Sequence, residues 1–173
     1  GSLNDQECAD VLLAQASVRG DVSDLSRALS MGANVDSRAD LCIAMGANQG
    51  KGSKRLTSLM RACHGGHTEA VSFLVAASAS LWRADSEGWT PLCHALAAGE
   101  LKIARQLLAS AGPNADRQKK IACSKKVQIL ESCDDVGHEV LEVVRNEFES
   151  PDGFMAVSGD VKDTTTVEAV RRV

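Results

Sequence analysis

Apolar positions at helical spacing recur along the chain with a fixed period. The apolar residues of 71–75 fall on one face of a helix, and those of 104–108 repeat the pattern about 33 residues later. Ahead of these stretches, Thr57–His67 aligns without gaps on Thr90–Glu100, with Leu on Leu, Ala on Ala and Gly on Gly. This register predicts a pair of short helices in every period.

A third copy of the pattern lies upstream. Ala16–Gly20 matches the end of a first helix and its turn, and the apolar residues of 25–29 match the face of a second helix. The copy ends in Gly-Ala-Asn-Val-Asp at 32–36, which predicts a closing turn. Helix pairs repeated in this way bury their faces against one another in a solenoid.

These features resemble the ankyrin-repeat family. The resemblance rests on the length of the period, on Thr-Pro-Leu at 90–92, on the Gly66-His67 turn and on Gly-Ala-Asn-Val-Asp at 32–36. Independently, Pro91 is suited to the first turn of a helix, where its missing N–H costs nothing. The resemblance implies an all-α solenoid of helix-turn-helix units with short β-hairpin or loop fingers and a C-terminal helical cap. We expect three repeats within 3–112, at about 8–36, 54–84 and 85–112.

The chain departs from the family pattern at two points. The histidine of the family's Thr-Pro-Leu-His is replaced by Met60 and by Cys93, which predicts an apolar substitute for a polar staple. In addition, the stretch from Asp36 to Thr57 is much longer than the equivalent stretch from Trp82 to Thr90, so the first junction holds an insert. We expect this insert, at about 40–55, to form a loop beside the binding face, where insertions in repeat proteins tend to occur.

The repeat pattern weakens after Gly112. Residues 114–133 and 136–148 each predict a helix, so we expect 113–149 to form a degenerate fourth repeat or a helical cap. A solenoid needs a terminal unit with a polar outer face. The last segment, 150–173, is predicted to be a tail with one short helix, since Thr165–Glu168 has the pattern of a capping box.

Composition and charge exclude several other classes of protein. Aromatic residues make up only 3% of the 173 residues and Tyr is absent, which disfavours β-sandwiches, β-barrels and base-stacking nucleic-acid platforms. The net charge of −4 gives no basic footprint, and no stretch approaches the ~18 apolar residues of a membrane span. Six scattered cysteines without C-x-x-C spacing predict reduced thiols in a cytoplasmic or nuclear protein.

Three kinds of chemistry compete with plain structural roles. Cys63, His64 and His67 with Cys93 and His94 could bring zinc ligands together, but the spacing matches no known ligand pattern, and structural roles are favoured. Residues 46–52 have one spacer too few for a phosphate loop. A nucleophilic Cys or Ser would need a histidine, an orienting acid and a pocket, which nothing in the pattern indicates. We therefore expect no enzyme activity, no cofactor and no metal.

The resemblance also implies where a partner would bind, since partners of this family are gripped by the finger tips and the exposed side of the first helices. Trp89 at a finger tip is either a binding anchor or a residue packed against the neighbouring finger or the insert, and both readings stay open. Carried over from the family to this sequence, the expected partner-binding residues are Lys54, Leu56, His64, Arg83, Ser86, Glu87, Trp89 and Ala97.

The predicted function is a non-catalytic, monomeric module that binds an unidentified protein or peptide. One alternative is the regulatory ankyrin region of a larger enzyme or channel, because Gly1-Ser2 reads as a cloning remnant of a longer protein. Another is phosphate or nucleic-acid binding through the basic segment Arg117–Lys126, although no aromatic recognition motif accompanies it.

Overall fold

The computed structural model of the protein describes residues 4–39, 55–125 and 129. Within these ranges the chain forms α-helices and one 3-10 turn at Gly112–Asn114, with no strand, so the predicted all-α repeat solenoid is confirmed. The helices are α1 (Asp5–Arg19), α2 (Val22–Ser30), α3 (Ser58–His64), α4 (Thr68–Ala76), α5 (Pro91–Ala97), α6 (Leu101–Ala111) and α7 (Ala115–Ser124).

The first six helices form three stacked pairs. The first helices α1, α3 and α5 contact one another in order, and so do the second helices α2, α4 and α6. Leu13, Leu59 and Leu92 occupy equivalent places in the three first helices, and all three side chains are buried. Alanines between them, such as Ala62 and Ala95, are fully buried as well, and their small size lets neighbouring helices approach closely.

Local sequence signals set where the helices begin. Asn4 accepts a hydrogen bond from the backbone of Glu7, whose carboxylate accepts one from the Asn4 N–H, as a capping box requires. The Asp21 side chain caps α2 by accepting from two backbone N–H groups. Pro91 is the first residue of α5, where its missing N–H costs nothing.

A residue from the next pair holds the turn between α1 and α2. Gly20 adopts a φ of 74°, and a Cβ added there would lie 2.5 Å from Nδ1 of His67. The His67 ring donates its Nε2–H to the Val18 carbonyl over 2.8 Å. The Gly66-His67 turn that the sequence predicts therefore contacts the preceding repeat.

Helix α7 covers the far end of the third pair. It packs on α5 and α6, and Gln118 donates a hydrogen bond to the Leu81 carbonyl. This helix lies within the predicted 113–149 segment, which the structure describes as far as Lys125 and at the buried Ile129. The insert at 40–54, the helix expected at 136–148 and the tail 150–173 lie outside the described residues. Among the described helices, each is too short or too polar to span a lipid bilayer.

Candidate functional site: the finger face

The loops that precede the first helices form one face of the solenoid with those helices. We call residues 82–90 finger 3, and residues 36–39 with 55–57 the described part of finger 2. Finger 3 is closed at its base by a backbone hydrogen bond from the Asp85 N–H to the Trp89 carbonyl, 3.0 Å long. The Asp-x-x-Gly sequence permits this tight turn, because Gly88 adopts a φ of 80°.

Asp85 organises finger 3 from inside. Its Oδ1 accepts from the backbone N–H of Glu87 at 2.8 Å and of Trp89 at 2.9 Å, and its Oδ2 lies 3.1 Å from Nε2 of His94. The Asp85 side chain is 0% exposed and that of His94 is 8% exposed. A buried carboxylate with three hydrogen-bond partners fixes the loop to helix α5.

Trp89 belongs to the core of the protein. The residue is 9% exposed, and its ring lies 5.4 Å from the His94 ring, centroid to centroid. The ring therefore packs on helix α5 of its own repeat. Ala97, another of the predicted contact residues, is also buried, at the end of α5. Neither side chain offers much surface to a partner.

Other predicted contact residues do face solvent. His64, Arg83, Ser86 and Glu87 are exposed, and Leu56 is half-buried. The His64 ring packs edge-on against His94 with 6.3 Å between the centroids, so the exposed surface is continuous with the buried network. Lys54 lies outside the described residues.

Two arginines that sequence reasoning missed lie on the same face. Arg38 donates from Nη2 to the Ala84 carbonyl of finger 3 at 2.7 Å, and Arg61 donates from Nη2 to the Ala39 carbonyl at 2.9 Å. Arg61 could have been found from the register, because it occupies the position of His94 in the preceding repeat and, like His94, binds the finger of its own repeat. Arg38 has no such signal.

The candidate zinc-binding and catalytic residues lie in surroundings that are typical of structural roles. Burial raises the pKa of the Cys63 thiol far above its ordinary value, and burial also raises the pKa of Cys93, although a hydrogen bond with Thr90 partly offsets this. His67 is bound to the turn of the first pair. In the described ranges, no group of three or more His, Cys, Asp or Glu residues is placed to hold a metal ion.

The basic segment is partly engaged with the chain itself. The Arg117 guanidinium lies over the Trp82 ring, 5.6 Å from its centroid, and Lys125 donates to the Glu87 carbonyl at 2.9 Å. Lys119 lies 3.8 Å from a carboxylate oxygen of Asp116. These contacts use cations that the phosphate-binding alternative would need. Lys126 lies outside the described residues.

Comparison with known proteins agrees with this architecture. The family profile described as "Ankyrin repeats (3 copies)" matches residues 13–119. The crystal structure of the human ASB11 ankyrin repeat domain superposes with a TM-score of 0.52 at 20% sequence identity, over 81% of this chain. This chain spans 55% of the length of that domain, and at this identity the likeness concerns the fold. A comparison with curated protein sequences gives no match.

Proposed function

Because the chain belongs to the ankyrin-repeat family, we propose that it is a non-catalytic module that binds a partner protein or peptide on the finger face. Ankyrin repeats are in general protein-interaction modules. The observation that carries the proposal is the construction of finger 3. Buried Asp85 closes the loop, and the closed loop leaves Ser86 and Glu87 exposed at its tip.

Such a finger is suited to binding because it is already ordered. The Asp85 carboxylate holds two backbone N–H groups of the loop and the His94 ring of α5 at the same time. A partner that docks on the tip therefore does not bear the conformational entropy cost of ordering the loop. Exposed Arg83 beside the tip adds a polar contact that could select among partners.

The state of the cysteines supports a role without covalent catalysis. A nucleophilic cysteine needs a thiolate near neutral pH, and burial disfavours the thiolate of both Cys63 and Cys93. The ring of His94 is bound to Asp85, but Cys93 has Thr90 as its polar partner. This arrangement favours packing roles for the two thiols.

We also propose that the module is monomeric and resides in the cytoplasm or nucleus. Cys8, Cys63, Cys93 and Cys123 are free thiols, which is typical of a reducing compartment. Sedimentation of the purified chain tests the oligomeric state, and a dimer at micromolar concentration would contradict it.

The proposed face can be tested by parallel affinity capture with three forms of the chain. The first is the wild type and the second carries Ser86→Trp, which adds bulk but no charge at the tip of finger 3. The third is a control, Lys102→Glu, at an exposed position of the second helix α6. We expect the same proteins to be enriched by the wild type and the control and to be lost from the finger variant.

Two outcomes would contradict the proposal. One is equal retention of every enriched protein by the finger variant and the wild type. The other is loss on Lys102→Glu with retention on the finger variant, which would place the binding surface on the second helices. Circular dichroism of all three forms checks that each remains helical.

A further inference from the structure

Two fingers meet at a cluster of arginines. Arg38 of finger 2 reaches finger 3 through its hydrogen bond to the Ala84 carbonyl. In the reverse direction, Arg83 of finger 3 places its Nε 3.3 Å from Oδ2 of Asp36. We call Asp36, Arg38, Arg83 and Ala84 the arginine junction.

Positive charge exceeds negative charge at the arginine junction. Arg38 bonds to a neutral carbonyl and, in the part of the chain that the structure describes, pairs with no carboxylate. The Arg83 guanidinium pairs with Asp36, whose carboxylate also accepts a hydrogen bond from the Ser80 N–H at 2.9 Å. The junction therefore holds two guanidinium groups and one carboxylate, and that carboxylate already binds Arg83 and the Ser80 N–H.

Several hydrogen-bond donors of the arginine junction have no partner among the described residues. Arg38 Nε is buried without a hydrogen-bond partner among the described residues, and so is the neighbouring Ser37 hydroxyl. Arg83 uses only Nε in its ion pair, its side chain is 47% exposed, and its Nη groups make no hydrogen bond to any described residue.

We propose that the arginine junction binds an acidic peptide segment of a partner protein, through Asp or Glu side chains that bridge Arg38 and Arg83. This inference rests on the proposed function and names the chemistry of the partner. The guanidinium fork can bind a carboxylate in a bidentate manner, and Arg83 already pairs with the Asp36 carboxylate through Nε, which leaves its two Nη groups for a second carboxylate. The buried ring of Trp89 is not available to stack on a base, which disfavours a single-stranded nucleic acid on this face.

The test is a fluorescence anisotropy titration with two labelled decapeptides at low salt. One peptide alternates glutamate with alanine, and the other replaces each glutamate with glutamine. We expect the wild-type chain to bind the glutamate peptide at least about tenfold more tightly than the glutamine peptide, since hydrogen bonds to charged groups carry the contact. Low salt is needed because exposed charge pairs are screened.

Two variants assign the binding to the junction. Arg83→Gln, an exposed position that the fold tolerates, is expected to weaken the glutamate peptide by about tenfold. Arg38→Gln should weaken it to a similar extent, with a thermal melt to confirm folding. The matched control is Lys102→Gln on α6, which removes the same charge from the second helix of the third pair and should leave affinity within about twofold.

Three results would overturn the inference. They are equal binding of the two peptides, equal weakening by Arg83→Gln and Lys102→Gln, and tighter binding of a short oligothymidylate than of the glutamate peptide. Failure here is distinguishable from failure of the proposed function. If the tip variant loses its captured partners while the arginine variants bind as the wild type does, the finger face stands and only the acidic partner is wrong.

Discussion

The second and third helix pairs reach the same fold with different side chains at equivalent positions. In the second pair, the Met60 sulfur lies 3.4 Å from the Thr57 N–H, and in the third, the Cys93 sulfur lies 3.5 Å from the Thr90 hydroxyl. In both pairs, a sulfur takes the place of the family's histidine at the capping threonine. The side chain at the position of the family's histidine thus contacts the threonine at the helix start through its sulfur in both pairs.

The fingers of the two pairs differ more than their helices do. Finger 3 closes on buried Asp85, whereas the equivalent place in finger 2 is Ala39, which offers only a backbone carbonyl to Arg61. At the next shared position, Gly88 adopts a φ of 80° and its counterpart Arg55 a φ of 53°. The Asp85 carboxylate therefore orders the tip of finger 3 from inside, whereas finger 2 supplies the Arg38 guanidinium.

The largest expected difference is in thiol reactivity. Burial and a raised pKa together predict that Cys63 is alkylated at least ~10³-fold more slowly than exposed Cys8, because reaction requires opening of the core. Cys93 should be faster than Cys63, since the Thr90 hydrogen bond partly offsets the effect of burial on its pKa. Peptide-resolved mass spectrometry after iodoacetamide pulses measures the three rates. Similar rates for Cys8 and Cys63 would contradict the packing of the second pair.

The next largest effect concerns Trp89 of finger 3. Trp89→Ala is expected to lower the free energy of unfolding by about 4 kcal/mol, because a large buried ring leaves a cavity. Half-buried Trp82 is the matched control, and Trp82→Ala should cost clearly less. Urea denaturation followed by circular dichroism gives both values. If Trp89→Ala keeps full stability and loses only partner binding, the anchor reading is right and the packing reading is wrong.

The next largest expected effect is the loss of stability when the carboxylate inside finger 3 is removed. Asp85→Ala is expected to cost about 3 kcal/mol, because two backbone N–H groups and the His94 ring lose a buried acceptor. Asp116→Ala, whose side chain is 85% exposed, serves as the control and should change stability by less than about 0.5 kcal/mol. Equal effects of the two substitutions on the urea midpoint would mean that finger 3 is not held from within.

The smallest expected effect tests the backbone of the two fingers. Arg55→Gly should have a free energy of unfolding about 1 kcal/mol higher than Arg55→Ala, since both remove the arginine side chain and only glycine relieves the strain of the left-handed φ. The reverse change, Gly88→Ala, should lower it by a similar amount, because a Cβ at Gly88 meets only Lys125 atoms at 3.6 Å and the φ alone opposes it. Thermal melts of the three variants measure these two differences. Differences of the same sign would show that the two fingers do not share this turn.

Most of the fold could be predicted because it depends on short-range patterns. The repeat register predicts the helix pairs, and Pro91 marks the start of α5, where the structure has it. His67 belongs to the predicted Gly66-His67 turn, and its ring binds the turn of the preceding pair. The start of the cap helix α7 at Ala115 directly follows the predicted Asn114.

The site was less predictable because side-chain direction in a finger has no period. The sequence places Trp89 at a finger tip but does not show that its ring turns inward onto His94. Asp85 carried a usable signal, since Asp with Gly three positions later is typical of a turn held by its own side chain. Arg38 reaches Ala84 from a distant part of the sequence, and such a contact becomes visible only in the folded chain.

The central claim is that the finger face, with its arginine junction, is the binding surface of the protein. Amide chemical-shift mapping by NMR, with the alternating glutamate and alanine peptide added to the labelled full chain, tests it most directly. We expect the largest shifts on Arg38 and on 83–89, with α2, α4 and α6 unchanged. Shifts concentrated on those second helices, or spread evenly over the chain, would contradict it.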